Sequence, residues 1–175
     1  MNEVLNAIRT RRSCRNFKPD MVPQEIIDQI CEAGTYAATG MNRQSPLIVV
    51  IKDKAVRDRL SEINAGIMGK ENFDPFYGAP VVLLVLADAN IPTCQYDGTL
   101  VMGNLMLAAH TLGIGSCWIH RAKEEMLMDE IKELLREKLG IEGDYTGIGH
   151  CVIGYAADEP REAPPRKENY VLQIG

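Results

Sequence analysis

The chain has 175 residues, of which 46% are hydrophobic and 25% charged, and its formal net charge is -5. This length fits one domain, at roughly 100–200 residues per domain, with a sizeable core. The longest unbroken apolar run, residues 81–87, is far shorter than a membrane-spanning helix. The acidic balance and the 6% aromatic content argue against nucleic-acid binding.

The cysteines and the first residues argue against further classes of protein and site. The five cysteines are an odd number, and no two are spaced C-x-x-C. This pattern argues against a disulfide framework and against a structural zinc site, so no metal is expected. The first five residues lack the basic start and apolar core of a signal peptide, and a cytoplasmic protein is therefore expected.

The periodicity of apolar residues predicts alternating helices and strands. The predicted helices cover residues 3–12, 23 to about 35–38, 54–65, 98–112 and 126–139, and the predicted strands cover residues 47–51, 80–87, 116–120 and 147–156. Pro23 should open the second helix, and Asp97 should cap the helix at 98–112. Residues 66–79 should form a loop or lid, and the prolines after residue 157 predict an extended arm. This order favours an α+β or α/β fold with one sheet covered by helices.

The predicted helix at 98–112 is apolar nearly all round. Such a helix is buried in a large core or at an interface. In a chain this short, a subunit interface is a natural way to cover every face.

Three arginines lie within five positions near the start of the chain: Arg11, Arg12 and Arg15, called here the arginine cluster. Guanidinium groups this close repel one another unless an anion lies among them, and their planar fork suits phosphate or carboxylate. A second cationic pair, Arg166 and Lys167, lies near the other end. One interpretation is a single anionic ligand held from both sides. The alternative is a helix C-terminus, where each cation is favourable by roughly 0.3–1 kcal/mol.

Other patterns are weaker. Gly113 follows a predicted helix and precedes a strand, which is the reverse of a dinucleotide-binding fingerprint, so it is interpreted as a helix C-cap. His150 should lie at a strand start and make a structural hydrogen bond. Trp118 is either a core aromatic residue or a flat wall beside a planar ligand.

Several short motifs form an ordered set that is more specific than any one of them. In chain order they are Arg11-Arg12-Ser13-x-Arg15-x-Phe17, Ala37-Ala38-Thr39-Gly40-x-Asn42-x-Gln44-x-Pro46, Gly78-Ala79-Pro80, Asp97-Gly98 followed by Asn104-Leu105-x-Leu107-Ala108-Ala109, Gly113-Ile114-Gly115-Ser116-Cys117-Trp118-Ile119, Gly154-Tyr155 and Pro165-Arg166-Lys167. This set resembles the FMN-dependent nitroreductase family over essentially the whole chain. The resemblance implies an α+β nitroreductase-like fold, with a central, mainly antiparallel sheet flanked by helices. It also implies one FMN-binding domain over residues 1–175, with a C-terminal arm from about 157, and an intertwined homodimer with two FMN molecules at its interface.

The same resemblance implies how the phosphate end of FMN is held. Arg11, Arg12 and Ser13 would hold the phosphate and ribityl side. Arg166 and Lys167 would close on the phosphate from the other side.

The flavin ring would meet other residues. Arg15 would reach its N1/O2 edge, and Trp118 and Ile119 would lie near the reactive centre. The partner subunit would contribute Ala38, Thr39, Gly40 and Asn42. Hydride would enter and leave through N5 of the cofactor, so no side chain is predicted to be catalytic.

The implied activity is a ping-pong cycle in which NAD(P)H reduces FMN and a nitroaromatic, quinone or similar acceptor then enters the same face. Three alternatives stay open: another flavin reaction such as dehalogenation or ring dehydrogenation, a non-catalytic flavin-binding protein, and a regulatory module that binds a nucleotide phosphate. Ala38-Thr39 stands where the family has Pro-Ser, and Leu47 stands where an aromatic residue is frequent. These departures leave the exact contacts of the 38–46 loop open. The compact chain also has little room for the insertions that shape substrate pockets in larger members, so the substrate is not carried over, and the preferred reductant stays open.

Overall fold

The computed structural model describes residues 2–175. Its elements are α1 (Glu3–Thr10), α2 (Gln24–Thr35), a short 3-10 turn (Gly40–Asn42), β1 (Pro46–Ile51), α3 (Lys54–Met68), β2 (Val81–Asp88), α4 (Cys94–Thr111), β3 (Gly115–Ile119), α5 (Ala122–Glu125), α6 (Asp129–Leu139) and β4 (Tyr145–Gly154). Every predicted helix and strand has a counterpart. None of the helices among residues 2–175 is long and apolar enough to cross a bilayer.

The four strands of the described chain form one antiparallel sheet in the order β1-β2-β4-β3. The central strand β2 is buried at every position except Asp88, because helices cover both faces of the sheet. One core cluster lies under α2 and α4 and includes Ile30 and Leu105. The other lies under α3 and α6 and includes Leu60 and Ile131. This arrangement confirms the α+β fold with an antiparallel sheet flanked by helices.

Two predicted helix starts were wrong. The helix expected at 98–112 begins at Cys94 after Thr93, so Asp97 is not its cap but lies one turn inside it. Pro92 precedes this start and its fixed φ favours an early helix entry. The helix expected at 126–139 begins at Asp129, because Met128 has extended backbone, and the separate short helix α5 precedes it.

A strap of residues 13–17 runs along the edge of the sheet. Ser13 pairs in parallel with Ser116 of β3, and Phe17 pairs in antiparallel fashion with Ala156 just after β4. These two bridges hold the backbone of Arg15 beside β3. The tail from 157 to 175 contains no helix or strand and is exposed throughout.

Candidate functional site

The arginine cluster lies where the end of α1 meets the end of α4 and the start of β3. The backbone N–H of Cys14 donates to the carbonyl of Ser116 at 2.8 Å. On the other side, Thr10 Oγ1 lies 2.9 Å from His110 Nε2 in the last turn of α4. The sequence therefore brings Arg11, Arg12 and Ser13 to one junction.

Arg11 and Arg12 make different contacts there. The terminal amino groups of Arg12 donate to the carbonyls of Arg9, at 2.7 Å, and Arg11, so this side chain closes the C-terminus of α1. Arg11 Nη1 and Arg12 Nε are buried without a hydrogen-bond partner among the described residues. The helix-terminus interpretation thus accounts for Arg12, and the anion interpretation accounts for Arg11.

The unbalanced positive charge of the arginine cluster also affects the pKa values of neighbouring groups. Burial lowers the pKa of His110, and the positive charges of Arg11 and Arg12 lower it further. Burial raises the pKa of the Cys117 thiol, while the positive charge of Arg15 opposes that rise. Within residues 2–175 no carboxylate pairs with Arg11, Arg12 or Arg15. The junction is short of an anion, and its donors suit a phosphate.

The 38–42 loop is attached to the opposite end of α4. The N–H of Gly40 donates to Asp97 Oδ1 at 3.0 Å, and Thr93 Oγ1 donates to the other oxygen at 2.8 Å. A Cβ at position 40 would lie 2.5 Å from Thr93 Oγ1, so only glycine allows this close approach. Buried Asp97 therefore holds the loop instead of capping the helix.

Within one chain this loop and the arginine cluster do not meet. Asp97 anchors the loop, and His110, thirteen residues further along α4, contacts the end of α1. A helix rises 1.5 Å per residue, which separates the two anchors by about 20 Å. Ala38, Thr39, Gly40 and Asn42 thus lie far from Arg11 in the same chain.

Arg15, Trp118 and Ile119 do meet, in a cavity of about 180 Å³ at the end of β3. The cavity wall is completed by Tyr77 and neighbouring residues of the 68–77 segment. Trp118 is half-buried and packs directly over Gly149 of β4, where a Cβ would lie 2.6 Å from its Nε1. Both interpretations of this tryptophan hold, since it packs against the sheet and also lines a cavity.

A model of the nitroreductase family matches residues 8–155 of this chain. The chain belongs to the nitroreductase family. A solved FMN-bound nitroreductase from Bacteroides fragilis is 26% identical and covers 100% of both chains with a TM-score of 0.90. A second FMN-bound nitroreductase, from Desulfitobacterium hafniense, is 26% identical over 100% of both chains with a TM-score of 0.86. The FMN reductase [NAD(P)H] of Bacillus subtilis is 27% identical over 206 residues, which cover 99% of this chain and 76% of that protein.

Arg166 and Lys167 of this nitroreductase lie on the exposed tail. Arg166 Nη2 donates to the carbonyl of Pro164 at 2.8 Å, and Lys167 Nζ lies 5.3 Å from the ring centroid of Tyr170. Both contacts are within the tail itself. The predicted closure on the phosphate stays a prediction.

A buried polar network adjoins the cavity at Arg121. His150 is in the middle of β4, not at its start, and its Nε2 lies 2.9 Å from Glu125 Oε2 without the alignment of a hydrogen bond. The amide of Asn64 donates to Glu125 Oε1 at 2.5 Å and to the carbonyl of His120 at 2.9 Å. The other end of this amide, Asn64 Oδ1, accepts from Arg121 Nε at 2.9 Å. In place of the expected structural hydrogen bond, His150 makes a close contact with a buried carboxylate.

The segment after α3 is fixed to the nitroreductase core by Asp74. Its carboxylate accepts from Ser61 Oγ at 2.6 Å, from the N–H groups of Phe76 and Gly78 at 2.9 and 2.7 Å, and from Arg57. Arg57 is buried, and its Nε also donates to the carbonyl of Ala79 at 3.1 Å. This anchor places Tyr77 against the cavity.

Sequence reasoning missed Asp74, Asn64, Glu125 and Arg121. The first three resemble ordinary surface residues of helices and loops in the sequence. Arg121 has φ 78°, a left-handed conformation that a non-glycine residue rarely adopts, and the sequence carries no sign of it. Each of these roles depends on residues far away in the chain.

We expect Asp74→Asn to lower the free energy of unfolding by about 1–3 kcal/mol, because buried Arg57 then loses one of its two charged acceptors and keeps Asp58 alone. Burial raises the pKa of Asp74, but the bonds from Arg57, Ser61, Gly78 and Phe76 outweigh it and hold the pKa below its ordinary value. A depressed folded-state pKa gives stability that is present above the unfolded value, about 3.9, and is lost as the pH falls through the folded value. Chemical denaturation between pH 3 and 7 should therefore show a weaker acid dependence in the variant. An unchanged profile would contradict the anchor.

Proposed function

We propose that this protein is an FMN-dependent NAD(P)H oxidoreductase that passes hydride to a nitroaromatic, quinone or similar acceptor. The observation that carries the proposal is Arg11 Nη1, a buried atom without a hydrogen-bond partner that lies among other cations, since this junction requires an anion. Membership of the nitroreductase family and the two FMN-bound structural neighbours support the phosphate of FMN as that anion. The Bacillus subtilis FMN reductase [NAD(P)H] supports the choice of reductant.

The proposed roles follow from the donors that each residue has free. Arg11 Nη1 and Arg12 Nε would hold the phosphate, and Ser13, whose side chain contacts the Cys117 thiol, would lie beside it. Arg15, fixed by the strap along β3, would face the N1/O2 edge of the ring, where a cation stabilises the charge of the reduced form. Trp118 and Ile119 would form the apolar wall that excludes water from the ring. When bound, FMN supplies a hydride acceptor and donor at N5, so the chain need not supply an acid or base.

The complete site is proposed to require two copies of the chain. The 38–42 loop lies about 20 Å along α4 from the arginine cluster, so the loop from a second copy must complete each site. More than half of the surface of Val4, Leu5 and Ile8 on α1 is exposed, as is half of that of Leu100 on α4. Apolar surface of this kind marks an interaction face, which supports the intertwined homodimer.

The C-terminal tail, residues 157–175, is proposed to take part in both the dimer interface and the phosphate site. Tyr170, Val171, Leu172 and Ile174 are all largely exposed, and a second copy would cover them. Arg166 and Lys167 would then close on the phosphate as the other half of a two-sided grip. One FMN-binding domain over residues 1–175 and a cytoplasmic location stay predictions from the sequence.

The direct test is the visible spectrum of the purified protein. We expect the absorption bands of oxidised flavin, their loss on anaerobic addition of NADH or NADPH, and their return when a nitroaromatic or quinone is added. Sedimentation of the same sample should give the mass of two chains. Absence of flavin bands together with no FMN uptake on reconstitution would refute the proposal. Bound FMN that neither nicotinamide reduces at a useful rate would indicate a non-catalytic flavin protein instead.

A further inference from the structure

The cavity beside β3 contains one more guanidinium group than the proposed cofactor needs. Arg15 is proposed to face the flavin, but Arg121 also lines the cavity, next to His120. Among the described residues, none that lines this cavity is acidic. The wall itself therefore leaves the charge of Arg121 without a counter-ion.

Buried polar groups hold Arg121 in one orientation. Its Nε donates to Asn64 Oδ1 at 2.9 Å, and Asn64 is fully buried. The amide nitrogen of Asn64 is itself fixed by Glu125 and by the carbonyl of His120. One edge of the guanidinium is thereby occupied, and its two terminal amino groups have no partner within residues 2–175.

The free edge of Arg121 suits a planar anion. Two terminal amino groups form a fork that binds a carboxylate through two parallel hydrogen bonds. Because the side chain is already oriented, little further conformational entropy is lost when such a ligand binds. A neutral ligand would gain much less from the same contact.

The rest of the cavity wall is largely aromatic. Phe73 and Tyr77 meet edge to face with ring centroids 5.9 Å apart, and Trp118 lines the same cavity. Contacts with such a wall favour an acceptor that is itself aromatic.

We infer that Arg121 determines acceptor specificity by binding the carboxylate, or a similar anionic substituent, of an aromatic acceptor that enters this cavity beside the bound flavin. The inference rests on the proposed function and adds a substrate class to it: anionic nitroaromatics or quinones are preferred to neutral ones. Asn64 is the positioning residue that aims Arg121.

The test compares an acid with its neutral counterpart in the absence of any reductant. Isothermal titration of 4-nitrobenzoate and of 4-nitrobenzamide into the purified protein, carrying its FMN, gives both dissociation constants without turnover. The wild-type protein should bind the acid at least about tenfold more tightly than the amide. Arg121→Gln should weaken binding of the acid by at least about tenfold and leave that of the amide nearly unchanged, since a charge-assisted pair is lost. Arg121→Lys should keep part of the preference.

Arg136→Gln is the matched control, because Arg136 is an exposed arginine on α6 that contacts only Glu133. It should bind both ligands as the wild-type protein does. Equal binding of the acid by wild type and Arg121→Gln would overturn the inference. Loss of flavin absorbance in Arg121→Gln, or a change only in the ratio of NADPH to NADH activity, would overturn it too, because Arg121 would then bind the cofactor or the reductant.

Failure of the inference is distinguishable from failure of the proposed function. A wild-type protein that binds no FMN but still prefers the acid through Arg121 would refute the proposed function and keep the anion site. A flavoprotein that NAD(P)H reduces, and that shows no preference for the acid, would refute only the inference.

Discussion

Glu125→Ala should lower the free energy of unfolding by about 3–5 kcal/mol, because two buried side chains lose the carboxylate that they contact and a cavity opens. Glu125 is 1% exposed, and its Oε2 lies 2.9 Å from Nε2 of fully buried His150. Its other oxygen accepts from Asn64. The variant leaves both partners without this carboxylate and opens a cavity below α5. For a chain of this size Tm should fall on the order of 6–20 °C.

Glu124→Ala is the matched control for this measurement. Glu124 is the exposed neighbour of Glu125 on the same four-residue helix, so both substitutions change helix propensity equally. Calorimetry should find the control within about 0.5 kcal/mol of the wild-type protein. Glu125→Gln keeps an oxygen for Asn64 but replaces the other oxygen with an amide nitrogen, and its smaller loss should isolate the contribution of the contact with His150. If Glu125→Ala and Glu124→Ala melt together, the buried network contributes nothing to stability.

The parts of the fold that the sequence predicted correctly are those that depend on hydrophobic patterning. The unbroken apolar run of β2 marks a strand covered on both faces, and the structure buries it on both faces. Gly113 has φ 74° and its N–H donates to the carbonyl of His110, which confirms the predicted helix C-cap. Such features depend on neighbours within about one helical turn, so they are visible in the sequence.

The parts that could not be predicted depend on partners far away in the chain. Asp97 follows a plausible helix start, but its carboxylate is used by the N–H of Gly40, 57 positions earlier. Asn64 of α3 joins Glu125 and Arg121 across a similar separation. No local pattern encodes these contacts, because they arise only when α3 and α5 are packed against the same sheet.

The candidate site shows the same division. The arginine cluster could be recognised in the sequence, because like charges so near one another require an explanation. The separate roles of Arg11 and Arg12 could not be predicted, since they depend on which amino groups reach the carbonyls of α1. The loop at 38–42 was also recognised, but its distance from the cluster appears only when the length of α4 between Asp97 and His110 is known.

Arg11→Ala should weaken FMN binding by about 1.5–3 kcal/mol, or roughly 10–150-fold, without destabilising the FMN-free protein. Arg11 Nη1 has no hydrogen-bond partner in the described chain, and the positive charge of Arg11 depresses the pKa of His110 beside it. Its removal therefore relieves repulsion when no anion is present and loses an ionic hydrogen bond when phosphate is bound. Arg12→Ala should differ, because Arg12 also donates to the carbonyls of Arg9 and Arg11 and its loss should destabilise both forms.

Quenching of flavin fluorescence on binding gives the dissociation constants that separate these expectations. Riboflavin lacks the phosphate, so Arg11→Ala should bind it as the wild-type protein does while losing affinity for FMN. Arg166→Ala should lose FMN affinity to a similar extent if the tail closes on the same phosphate. If both variants bind FMN with wild-type affinity, the two-sided grip is excluded. If Arg11→Ala loses affinity equally for FMN and riboflavin, Arg11 contacts the flavin ring and not the phosphate. A loss in Arg11→Ala alone would keep the phosphate site at the α1–α4 junction and leave the tail only its part in the homodimer.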